Sequence, residues 1–215
     1  KFNKLALRML GELEEKINES ENPLETAIRL AIAGNIIDLG VKTSLSESDV
    51  EDVIKNCLTA DFDNSQIQDF KNSINNAEKI LYLTDNAGEI VFDRLLVEQL
   101  PLDKVTVAVR GKPIINDATM EDAEFVGLTE LVKVIDNGSD APGTVLESCS
   151  EEFKQYFENS DLIIAKGQGN YETLSESDKN IFFILKAKCP VVARDLDCEI
   201  GRMILRKSLM VLQKG

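Results

Sequence analysis

Two periodicities divide the chain. Across residues 1–39 apolar positions recur at helical spacing, with Met9 and Leu13 on one face before Asn22-Pro23 and Ala27, Leu30, Ala31 and Ile37 after it. Two helices separated by a proline break are expected there, and amphipathic helices around residues 47–58 and 63–78. From Lys79 onward the pattern changes to short apolar runs: ILYLT from Ile80, VTVAV from Val105, LVKVI from Leu131, DLIIA from Asp161 and PVVA from Pro190. Continuous runs of this length suit strands buried on both faces. Helical stretches are expected between them near residues 90–100, 119–126, 151–159 and 175–186, and in the C-terminal tail. Strands alternating with helices predict a mainly parallel sheet. The expected fold class is therefore α/β, a three-layer αβα Rossmann-like arrangement, with a helical N-terminal subdomain over residues 1–78 and an α/β catalytic domain over residues 79–215. The chain opens mid-helix without a methionine, from which an earlier N-terminal segment is expected.

Composition narrows the function classes. A chain of 215 residues, 43% of them hydrophobic, can bury one sizeable core. Thirty-eight acidic against 24 basic side chains give a net charge of -14, which repels phosphate backbones and anionic membrane surfaces, so neither nucleic acid nor membrane is expected as a partner. No apolar run is long enough to span a bilayer and no secretory leader begins the chain, so a cytoplasmic location is expected. A homo-oligomer is compatible with the sequence. Cys57, Cys149, Cys189 and Cys198 are scattered without a C-x-x-C pair and read as small buried hydrophobes. The chain has no histidine, which removes Ser-His-Asp and Cys-His catalysis and imidazole-dependent zinc sites. Any bound metal must be held by oxygens, which favours a hard divalent ion.

Four polar segments interrupt the apolar pattern. The most informative is Asp85-Asn86-Ala87-Gly88-Glu89, where a strand-like run ends abruptly and a helix begins. Ligands of open α/β sheets bind in the crevice outside such strand ends. Asp85 and Asn86 offer oxygens to a cation, while the following helix start presents free N–H groups to an anion; the same residues also suit an ordinary capped turn. The second segment, Gly111 through Thr119, also leaves a strand and enters a helix. Its Asp117 can supply a second carboxylate to the same ion if the two strands are neighbours, or simply cap the helix. In the third, Ala165-Lys166-Gly167-Gln168-Gly169-Asn170, alternate glycines free the backbone to wrap an anion and Lys166 can neutralise a phosphoryl oxygen. The fourth, Ala33-Gly34-Asn35-Ile36-Ile37-Asp38, sets Asn35 and Asp38 on one helix face. Lys186, in the apolar FFILKAKCP, either reaches solvent or meets a phosphate.

Together GNIIDLG, LTDNAGEIVFD, PIINDATMEDA, AKGQGNYETLSE and FFILKAKCPVVARDL resemble the damage-control phosphatase family, formerly a domain of unknown function and often named for its acidic-residue methyltransferase-like members. The resemblance is closest to the stand-alone archaeal and bacterial branch. It implies a metal-dependent phosphatase acting on small phosphorylated metabolites, sugar phosphates or phosphopantetheine-like monoesters, with a divalent ion among Mg²⁺, Mn²⁺, Co²⁺ and Ni²⁺. It further implies Asp85, Asn86 and Asp117 as metal ligands, with Lys166, Gly167, Asn170 and Lys186 on the phosphate side and Asn35 and Asp38 lining the pocket. Asp85, Asp117 and Lys166 are then the expected catalytic residues, with Glu89 beside the substrate. The attacking group is water, oriented or deprotonated by Glu89 or Asp117, or else Asp85 as an aspartyl nucleophile, although the Asp-x-Asp pattern that accompanies such a nucleophile is absent. Phe183-Ile184 replaces the Arg-Thr of the eukaryotic sugar-phosphate branch, which argues against a fructose-phosphate preference. Two rival readings share the topology. An S-adenosylmethionine-dependent carboxyl methyltransferase lacks its Gly-x-Gly after Leu83, and a sugar-phosphate-binding module without turnover would look much the same in sequence.

Overall fold

The computed structural model describes residues 2–40 and 47–208, and the side chains of residues 6–34 and 48–208. Six strands, β1 (Ile80–Leu83), β2 (Val105–Val109), β3 (Lys133–Asp136), β4 (Leu162–Lys166), β5 (Ile181–Lys186) and β6 (Met203–Lys207), form one sheet in the order β3-β2-β1-β4-β5-β6. All neighbours pair in parallel except β6, which runs antiparallel to β5. The helices are α1 (Phe2–Asn18), α2 (Pro23–Gly40), α3 (Glu47–Thr59), α4 (Ile67–Asn76), α5 (Ile90–Val97), α6 (Met120–Phe125), α7 (Glu151–Asn159), α8 (Gly167–Leu174) and α9 (Pro190–Asp195).

Side chains alternate across each strand, and both faces are covered. Ile80, Tyr82, Val107, Ile164 and Phe182 pack into one cluster with residues of α1 through α6. Leu81, Leu83, Ile163, Ala165 and Phe183 pack into a second cluster with Phe153 and Phe157 of α7, Tyr171 and Leu174 of α8, and Val192 of α9. This is the three-layer αβα arrangement that the strand and helix pattern predicts. No described helix is long and apolar enough to cross a membrane.

Helix α2 is the keystone of the first layer. Ala27, Ile28, Leu30, Ala31, Ile32 and Ala33 are all fully buried, the pattern of a helix surrounded by protein rather than lying at the surface. Gly34 lets it lie directly on α5: a Cβ there would sit 2.8 Å from Cδ2 of Phe92 and 3.3 Å from the Cα of Glu89.

Three expectations are corrected. Residues 175–186 are not a helix; Ile181–Lys186 is a strand, because IFFILK is buried on both sides between β4 and β6, and a short apolar run does not by its period distinguish strand from buried helix. The expected PVVA strand is instead helix α9, begun by Pro190 in its first turn and capped by the Cys189 sulfur, which accepts from the Val192 N–H at 3.5 Å. Near the C-terminus Met203–Lys207 is an edge strand rather than helix; residues 209–215 lie outside those described.

The close crossing at Gly34 yields a stability prediction. Gly34→Val would overpack Phe92, costing about 2 kcal/mol, or roughly 4–8 °C in Tm for a chain of this size. Thermal unfolding followed by circular dichroism checks it, and an unchanged Tm contradicts the packing described.

Candidate active site at the switch between β1 and β4

The chain leaves β1 toward β2 and β3 on one side of the sheet and leaves β4 toward β5 on the other, so a crevice opens outside the carboxyl ends of β1 and β4. Leu83 pairs with Ala165, which sets Asp85 level with the start of α8. The two loops touch. Gly167 has φ of +80°, and a Cβ on it would lie 2.0 Å from Oδ2 of Asp85. Only glycine tolerates both the backbone conformation and the approach.

The loop after β2 closes onto the same place. The Ala118 N–H donates to the Asp85 carbonyl at 2.8 Å, the Ala87 N–H to the Asn116 carbonyl at 2.7 Å, and Asn86 and Asp117 form an antiparallel bridge. Asp85, Asn86 and Asp117 are thereby brought side by side on neighbouring loops. Nδ2 of Asn86 donates to Oδ2 of Asp85 at 2.9 Å and also to Oε1 of Glu89. Arg110, at the end of β2, donates from Nε to Oδ2 of Asp117 at 2.5 Å and from Nη2 to Oδ1 of Asn170 at 3.5 Å.

Negative charge is concentrated here. Burial, and then the carboxylates of Glu89 and Asp117, push the Asp85 carboxyl well above its ordinary range against the opposing pull of Lys166 and Lys188. Burial also raises Asp117, and the Arg110 guanidinium opposes it. Among the described residues no three His, Cys, Asp or Glu side chains gather closely enough to hold an ion by themselves. The donor set that fits a metal is two carboxylates, Asp85 and Asp117, with the amide of Asn86; the charge of Asp117 is among the causes that raise Asp85, and a divalent cation would stabilise such a carboxylate in its ionised form.

Behind these loops lies a buried ammonium. Lys166 is fully buried, and its Nζ donates to Oδ1 of Asp93 at 2.6 Å, to Oε2 of Glu89 at 3.2 Å and to the Ala31 carbonyl of α2 at 3.2 Å. Burial disfavours the charged form, yet Asp93 and Glu89 more than offset it and hold the Lys166 pKa above that of a free lysine. Asp93 also accepts from the Tyr82 hydroxyl at 2.8 Å; burial pushes its carboxyl up to about 6 against the pull of Lys166.

Several expected roles therefore change. Lys166 does not face a phosphoryl oxygen, because an ammonium has three N–H donors and all three are directed to Asp93, Glu89 and Ala31 inside the protein. Glu89 is fully buried behind Asn86 rather than beside a substrate. Asn170 is also fully buried: its Nδ2 donates to the carbonyls of Thr84 at 3.1 Å and Lys166 at 2.8 Å, while its Oδ1 accepts from the Thr144 hydroxyl at 2.7 Å, so it ties the two strand ends together. Lys186 is half-buried at the end of β5, where its charge acts on the Cys57 thiol of α3; the cation of this segment that acts on Asp85 is Lys188. Gly167 abuts Asp85, as described. The side chains of Asn35 and Asp38 lie outside the described residues.

Arg110, Asp93 and Lys188 were not singled out by the sequence reading. Arg110 carried the same signal as Lys166, a cation ending an apolar strand, and Asp93 is a lone acid inside the apolar helix IVFDRLLV. Nothing in the sequence distinguishes Lys188 from Lys186. A cleft of about 980 Å³ lies at the opposite, amino ends of β1 and β2, between Lys79, Lys104 and Tyr156. We place the site at the carboxyl ends, where the buried charges converge.

A family model described as the damage-control phosphatase ARMT1-like domain matches residues 1–204. An uncharacterized protein of Methanocaldococcus jannaschii is 46% identical over 217 residues, covering 96% of this chain and 71% of the relative. A damage-control phosphatase of Pyrococcus horikoshii is 45% identical over 190 residues, covering 86% of this chain and 65% of the relative, so the chain spans slightly under two thirds of that protein. One from Archaeoglobus fulgidus is 36% identical, covering 95% and 72%. Among solved structures, a DUF89 family protein of Pyrococcus horikoshii superposes with a TM-score of 0.82 at 39% identity, covering 96% of this chain and 74% of that one.

Proposed function

The chain belongs to the damage-control phosphatase ARMT1-like domain family, and from that membership we propose that it is a divalent-metal-dependent phosphomonoester hydrolase acting on a small phosphorylated metabolite, a sugar phosphate or a phosphopantetheine-like compound. The observation that carries this reading is the meeting of Asp85, Asn86 and Asp117 in one crevice, where burial and neighbouring carboxylates raise both Asp85 and Asp117. Those three side chains would hold the ion. When bound, it would polarise the phosphoryl group and offset its charge.

The protein's own residues supply the rest. Lys188, whose charge acts on Asp85, is the cation we assign to the phosphoryl oxygens, and the amino end of α8 opens on the same crevice with its dipole favouring an anion. Arg110 fixes Asp117 by a charge-assisted bond, so that the carboxylate presents its other oxygen in one orientation. Water adds across the P–O ester bond, giving the alcohol and inorganic phosphate.

Three outcomes test the proposal. Phosphate release from a panel of sugar phosphates and phosphopantetheine-like monoesters should require Mg²⁺, Mn²⁺, Co²⁺ or Ni²⁺ and stop on chelation; release from none of them with any of the four ions would reject it. Asp85→Ala should reduce turnover to background while circular dichroism and Tm stay near those of the parent, and retained turnover would remove Asp85 from the metal set. Arg110→Gln should raise the metal concentration for half-maximal activity about tenfold; an unchanged metal requirement would assign Arg110 to folding alone.

A further inference from the structure

Asp93 has no part in the reaction as described, and its surroundings are costly. It lies fully buried in α5 among Ile90, Val91, Phe92, Leu95 and Leu96, and its Oδ2 is buried without a hydrogen-bond partner among the described residues. Oδ1 carries both contacts, accepting from the Tyr82 hydroxyl at 2.8 Å and from Lys166 at 2.6 Å. A buried ion pair with an orphaned acceptor is seldom better for stability than apolar side chains of similar volume. Its place in the fold suggests another use.

A continuous set of hydrogen bonds leads from Asp93 to the crevice. Tyr82 and Lys166 donate to Asp93, Lys166 donates also to Oε2 of Glu89, and Oε1 of Glu89 accepts from Nδ2 of Asn86, which donates in turn to Asp85. Both acceptors take the same amide nitrogen. That fixes the amide plane with Nδ2 rather than Oδ1 on the two carboxylates, so the oxygen is the atom left for the ion. The Lys166 ammonium sits closer to Asp93 than to Glu89, at 2.6 Å against 3.2 Å. Asp93 thus shares a cation that would otherwise close onto Glu89 and compete with Asn86 for its carboxylate.

We propose that Asp93 is a positioning residue for the metal site: through Lys166 and Glu89 it holds the Asn86 amide with its oxygen toward the ion. The inference rests on the reading of Asp85, Asn86 and Asp117 as metal ligands. It makes Asp93 a determinant of metal affinity from deep in the core, on the far side of Glu89 from the crevice. Lys166 becomes the coupling element between the two.

Metal binding measured without substrate tests it. Mn²⁺ is titrated into the protein and into the Asp93→Asn and Tyr82→Phe variants, followed by isothermal calorimetry and by the electron paramagnetic resonance of free Mn²⁺, with folding checked by circular dichroism. The expected result is one Mn²⁺ per unmodified chain, about tenfold weaker binding at the same stoichiometry in Asp93→Asn, and a smaller loss in the same direction in Tyr82→Phe, which removes only the hydroxyl donor. A folded Asp93→Asn that binds Mn²⁺ as tightly as the parent overturns the proposal, since a purely structural role would lower Tm and leave affinity alone. If Asp93→Asn does not fold, unchanged affinity in Tyr82→Phe overturns it instead. Failure of the parent chain to bind Mn²⁺ is distinct from both, and would remove the metal reading on which the inference rests.

Discussion

The burial of one ammonium organises this protein. Lys166 joins the end of β4 to Glu89, the residue before α5, to Asp93 within α5 and to the Ala31 carbonyl of α2, so a single charge ties the sheet to two helices of the layer above it. Taking such a charge from water is costly, and only well-placed partners offset it; removing one of them typically costs about 3–5 kcal/mol. The position of α5 follows from this requirement, and with it the loop Asp85 through Glu89 that precedes the helix. Gly34, where α2 lies against Phe92 and Glu89, permits the approach that the ammonium needs.

The division of cations then decides the character of the crevice. Lys166 is turned inward, Arg110 is bound to Asp117, and Lys188 acts on Asp85 from the β5–α9 connection. Burial and neighbouring carboxylates still leave Asp85 and Asp117 raised above their ordinary pKa values, so the internal cations do not fully compensate the carboxylates. On the proposed function, this imbalance is what a divalent ion would offset. The family relationship, to damage-control phosphatases, gives that electrostatic argument its chemical class.

Much of this was legible in the chain because polarity changes abruptly where function begins. ILYLT runs straight into Asp85-Asn86, VTVAV into Arg110, and LIIA into Lys166-Gly167, and the parallel sheet aligns those three strand ends. The direction in which each polar side chain points was not legible. Lys166 reads equally well as a phosphate ligand or a buried ion, and its inward orientation depends on Glu89 and Asp93, one helical turn apart on α5, facing β4 across the core. Asn170 reads as a glycine-loop residue, yet it lies in the first turn of α8 and spans two strand ends. The exchange of helix and strand after Ser175 has a similar origin: IFFILK and PVVA are short apolar runs whose period is ambiguous, and only the neighbours supplied by the sheet, or the proline in the first turn, decide between them.

The most direct test is a crystal structure of the protein grown with Mn²⁺ and inorganic phosphate, with anomalous diffraction locating the metal. The account predicts one anomalous peak within coordinating distance of Asp85, Asn86 and Asp117, phosphate on its open side, and the Lys166 ammonium still bonded to Asp93 and Glu89. A metal peak elsewhere, or Lys166 swung out onto the phosphate, would contradict it.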